Sequence, residues 1–156
     1  MGAALPWDEA WLADYRARMD GLKSLPALPD SVQFCLPFLL KLPRQTLGRH
    51  WSEAARYRKW LRPHVEAAVR PWLGHAPMKK AQITITRVST GCGVDYDNNV
   101  SSTKPLVDLL LIQSSVHPSS LGLIEDDDPA RLTRIIRWER CATRKEQRTE
   151  IIIERA

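Results

Sequence analysis

The residues best suited to chemistry lie between Asp95 and Asp128. In Asp95-Tyr96-Asp97-Asn98-Asn99, two carboxylates stand at positions i and i+2. On an extended chain such residues point to the same side and can reach one cation. Hard carboxylate oxygens suit Mg²⁺ or Mn²⁺ rather than zinc. The order D-x-D-x-N also opens a calcium loop of the EF-hand type. That reading fails, because the sixth loop position is Val100 rather than Gly and the twelfth is Leu106 rather than Glu. The same residue types also build Asx turns that cap helices. A second group is Glu125-Asp126-Asp127-Asp128. Its mutual repulsion is relieved by a cation or by solvent, and an exposed acidic loop is the ordinary outcome for such a run. The third candidate is Lys104, the sole Lys or Arg between Gly91 and Asp128. It suits stabilisation of a pentacoordinate phosphate and, equally, a salt bridge to a neighbouring carboxylate.

The surrounding charge has the opposite sign. The 156-residue chain carries a net charge of +5. From Arg44 to Lys80 run Arg49, Arg56, Arg58, Lys59, Arg62, Arg70 and Lys79, opposed only by Glu53 and Glu66, with Trp51, Tyr57, Trp60 and Trp72 interleaved. Beyond Asp128 the chain turns basic again, through Arg131, Arg134, Arg137, Arg140, Arg144, Lys145 and Arg148. A carboxylate island in a basic chain is what a metal-dependent enzyme acting on phosphates needs. The cations draw in the polyanion and the carboxylates hold the ion that neutralises it. Two solvated faces would produce the same pattern. The four histidines form no ligand motif, and no P-loop, H-E-x-x-H or G-x-S-x-G occurs.

The elements that must position these groups follow from periodicity. Residues 7–22 read as an amphipathic helix with Trp7, Trp11, Tyr15, Met19 and Leu22 on one stripe, followed by a Pro-containing linker. Residues 34–41 read as a strand that Pro37 confines to a sheet edge or a bulge, and 42–50 as a basic loop. A helix opens at Ser52, with Glu53 in its first turn, and runs to about Leu73, kinked or restarted at Pro63. Gln82 to Val88 alternates strictly and reads as a half-buried strand. Pro105 opens a helix reaching about Ser114, and two late strands fall near 134–143 and 149–155. Strands alternating with helices predict a mixed α+β domain over 34–156, a mixed sheet flanked by helices, with a helical extension over 1–33. The apolar runs are too short to span a bilayer. Asp8 and Glu9 interrupt the N-terminus before any signal-like apolar run forms. Three widely spaced cysteines fit reduced thiols, so the expectation is a soluble cytoplasmic protein.

The order of these features resembles the RusA family of Holliday junction resolvases, many of them encoded by phages. His50-Trp51 leads into a helix and a strand, then Asp95-x-Asp97-Asn98, a helix bearing Lys104 and Asp108, Gly122-x-Ile124-x-Asp126-Asp127, and terminal strands. The resemblance covers about 34–154. It implies magnesium (or manganese) held by Asp95, Asp97 and Asp127 with Asp126, an activity-supporting Lys104, and a homodimer nicking opposite strands of a four-way DNA junction. Phosphate contacts are then expected from Arg49, His50, Arg56, Lys59 and Arg62. Against the family pattern, the chain is about three residues longer between Asp97 and Lys104. Asn99 to Thr103 is therefore expected to loop out before the helix. Asp128 offers an alternative register for the Asp127 ligand. A protein of the same fold that binds junctions without cutting them is the alternative, beside a metal nuclease for another branched or flapped substrate and a basic interaction domain with an acidic loop.

Overall fold

Alternating apolar side chains build the sheet. The computed structural model describes residues 9–43, 51–113 and 119–156, apart from the side chains of Trp11 and Trp51. Strand β1 (Ser31–Leu36) buries Val32, Phe34 and Leu36 and exposes the residues between them. In β2 (Ala81–Ser89), Ile83 and Ile85 turn to the same face, joined there by Ile151 and Ile153 of β4 (Arg148–Arg155). Strand β3 (Leu132–Arg140) adds Leu132 and Ile136. The strand order is β1-β4-β2-β3, with β4 antiparallel to both neighbours and β2 parallel to β3. Together with the helices this is a mixed-sheet α+β fold.

Helices cover the apolar face. Helix α2 (Trp51–Val69) places Tyr57, Leu61, Val65 and Val69 at a four-residue spacing, all buried, and packs on β1. The crossover from β2 to β3 carries α3 (Tyr96–Ser102) and α4 (Lys104–Leu110), the latter burying Leu106, Val107, Leu109 and Leu110 against α2. Helix α1 (Glu9–Lys23) fully buries none of its described side chains. No helix among the described residues is long and apolar enough to cross a membrane.

Several boundaries differ from expectation. Strand β1 begins at Ser31 and stops before Pro37, which has no N–H to continue the ladder. It does lie at a sheet edge. Helix α2 passes through Pro63 without interruption and ends at Val69, followed by a 3-10 turn over Arg70–Trp72. Pro63 is exposed, and the buried stripe on the opposite side supplies the stabilisation that the lost hydrogen bond removes. Most consequentially, Asn99 to Thr103 does not loop out. It completes α3 and the joint with α4, where Ser102 and Thr103 are buried and bond their hydroxyls to the carbonyls of Asn99 and Val100 at 2.6 Å. The predicted helix over 105–114 is α4, which begins at Lys104 and ends at Leu110, and α3 precedes it and meets it at Thr103.

Candidate nucleic-acid interface

The parallel pairing of β2 and β3 decides where the acidic groups go. A parallel connection must carry the chain back along the sheet. The crossover therefore enters at the C-terminal end of β2 and leaves at its N-terminal end. The entry end is marked by Trp138, whose Nε1 donates to the Ser89 hydroxyl at 2.8 Å, and by Gly93 packed beneath the same indole. The exit end is marked by Ile124, bridged to both Met78 and Leu111. Asp95 and Asp97 belong to the first end, Asp126 and Asp127 to the second. Among the described residues, no three His, Cys, Asp or Glu side chains form a group able to hold a metal ion.

Each cluster has its own surroundings. Asp95 and Asp97 are exposed at the start of α3, and Asp95 makes no side-chain capping bond. Asn99, two residues on, is buried and donates Nδ2–H to the Arg137 carbonyl at 3.2 Å, anchoring α3 to β3. The later run satisfies itself locally. The Asp126 carboxylate accepts the Asp128 amide at 3.3 Å, and Asp128 accepts that of Ala130 at 3.0 Å. Glu125 pairs with Arg131 at 3.0 Å, and Asp127 with Arg134 at 3.4 Å. Lys104 reaches Asp108 one helical turn later at 3.3 Å, its own side chain mostly in solvent and that of Asp108 buried.

The cations concentrate at the end that holds Asp95 and Asp97. Strand β1 runs in the same direction as β2, so the segment after Leu36 rises to this end, where the Lys41 amide donates to the Tyr57 hydroxyl at 3.1 Å. The N-terminal half of α2 is thereby fixed here, presenting Arg56, Arg58 and Lys59 to solvent. Arg62 is differently occupied, bonding Glu66 at 2.7 Å and the Ser119 carbonyl at 2.9 Å. Arg49 and His50 lie outside the described residues.

One residue of this end escapes motif reading. Arg87 follows Ile83 and Ile85 at the same two-residue period, so its side chain enters the helix-covered face, opposite Thr149 and Trp138. Its Nη1 donates to the Leu40 carbonyl at 2.7 Å, while its buried Nε has no partner. Burial lowers the guanidinium's pKa, and the nearby Tyr57 offsets this only in part. Among the described residues no carboxylate pairs with it. The signal was present in the alternation, as an arginine on an otherwise apolar stripe.

At this end the protein exposes both carboxylates, beside β3, and a group of cations, beside β1, and such cations suit an anionic polymer. No protein-family model and no curated protein matches the chain.

Proposed function

We propose that this protein is a structure-specific DNA endonuclease of the RusA type, acting with Mg²⁺ as a homodimer on four-way junctions. The observation that supports the reading is that exposed Asp95 and Asp97 follow β2 while exposed Lys41, Arg56, Arg58 and Lys59 follow β1, which runs parallel to it. Phosphate contacts from the cations would fix the duplex without reading its sequence, as shape-specific recognition requires. A two-fold dimer would present two such ends to a two-fold junction. The order D-x-D-N, Lys-bearing helix and Asp-Asp is the sequence support for cleavage.

One observation favours a second reading, a junction-binding protein that does not cut. Asp127, a metal ligand on the first reading, is paired to Arg134 at 3.4 Å. A nicking assay on a synthetic four-way junction separates the two. Paired symmetric nicks from the wild type in Mg²⁺, lost in Asp97→Asn with binding retained, support the endonuclease. Tight, salt-sensitive junction binding with no nicks in Mg²⁺ or Mn²⁺ supports the second reading. Absence of DNA binding removes both.

A further inference from the structure

Trp60 is 47% exposed, an unusual position for a large indole beside a buried helix face. The ring is nevertheless held. Tyr57 stacks with it at 5.9 Å between centroids and 18° between planes, Phe38 lies at 4.9 Å and His64 at 4.6 Å. Tyr57 is itself fixed by the Lys41 amide, and the Lys41 ammonium sits 5.3 Å from its ring centre. An indole so braced has already lost its rotamer freedom, so a ligand stacking on it loses little more. Around it stand exposed Arg56, one helical turn earlier, and exposed Lys59.

An aromatic surface set among cations is the combination that binds single-stranded nucleic acid, because every base has a π face and every linkage a charge. We propose that the Trp60 face of α2 is a stacking platform for an unpaired DNA base, with Lys41, Arg56 and Lys59 holding the adjoining phosphates. This rests on the DNA reading above and adds a substrate feature to it: a strand whose bases are free to leave the stack, as at a branch point. The cationic frame favours DNA over an apolar protein segment, which would leave those charges without partners.

The test uses the full chain and a short single-stranded oligonucleotide carrying 2-aminopurine, with a fully paired duplex as control. Wild type is expected to quench the 2-aminopurine. Trp60→Ala is expected to weaken single-strand binding roughly 5- to 150-fold while leaving duplex binding and the salt slope unchanged. Trp60→Phe keeps most of the affinity. Lys59→Gln lowers the single-strand salt slope by about 0.7. Equal single-strand affinity for wild type and Trp60→Ala would overturn the platform. So would a change of oligomeric state in Trp60→Ala by sedimentation, which would assign the face to a second copy of the chain. If wild type binds no DNA of any form, the DNA reading itself has failed. If it binds junction and duplex but Trp60 is silent, only the platform has.

Discussion

The Arg134 guanidinium stands 3.4 Å from the Asp127 carboxylate, while Asp97 lies exposed in the first turn of α3. Asp127 therefore has a local partner within its own chain, and its role can be separated from that of Asp97 by measurement. Both side chains of the pair are about a third exposed, so solvent screens it. Asp127→Asn is expected to lower the unfolding free energy by less than about 1 kcal/mol in urea titration. A loss several times larger would show the pair to be a main support of the fold.

Lys104 and Asp108 form the second informative pair. The lysine is mostly in solvent and the aspartate is buried, 3.3 Å away. Lys104→Met is expected to cost no more than about 1 kcal/mol of stability. On the proposed function it also lowers junction nicking by roughly 100-fold, as loss of a positioned charge-stabilising donor does. Full activity in a stable Lys104→Met protein would confine Lys104 to the ion pair.

Tyr57 links stability to pH. Burial raises its phenol above the ordinary value near 10, with the Lys41 amide and the Arg87 guanidinium opposing. The folded phenol keeps its proton after the unfolded one has lost it. Its contribution is therefore fully present below pH 10 and is lost as pH rises through and beyond that value. Tyr57→Phe abolishes this alkaline loss, but at neutral pH gives up the 3.1 Å bond from the Lys41 amide, at a cost of about 1 kcal/mol. Unfolding free energies of the two proteins should differ at neutral pH and draw together above pH 10. Parallel curves would show that Tyr57 does not titrate with unfolding.

Gly93 sits at φ +86°, and a Cβ there would lie 3.2 Å from the Trp138 indole. Gly93→Ala is expected to destabilise by about 1–3 kcal/mol from backbone strain, with further cost as the indole yields. Because Trp138 also bonds Ser89, its near-ultraviolet circular dichroism should change. An unaltered melting temperature would contradict this account of the turn before Asp95.

Much of the fold was legible in the chain. Strict alternation marked β2 to within a residue at each end, the Ser52 cap with Glu53 after it marked the start of α2, and the late strands emerged from alternation of apolar and charged residues. These signals are local, because each depends only on which face a side chain takes within its own element. The alternation also carried Arg87 onto the apolar face, although no motif drew attention to it. By contrast, Asn99 to Thr103 has little apolar content of its own. Its helix depends on the Asn99 anchor to the Arg137 carbonyl and on burial of Ser102 and Thr103.

By itself, the sequence determined which residues could do chemistry: acidic pairs in a basic chain, with Lys104 between them. Only the tertiary structure decided which of them share a place. Strand direction is a property of pairing, not of any one segment. Because β2 and β3 pair in parallel, the chain leaves β2 through Asp95 and Asp97 and crosses back by α3 and α4 to Asp126 and Asp127 before β3. Because β1 also runs with β2, it brings Lys41 and the first turns of α2, with Trp60, to the end where Asp95 and Asp97 are.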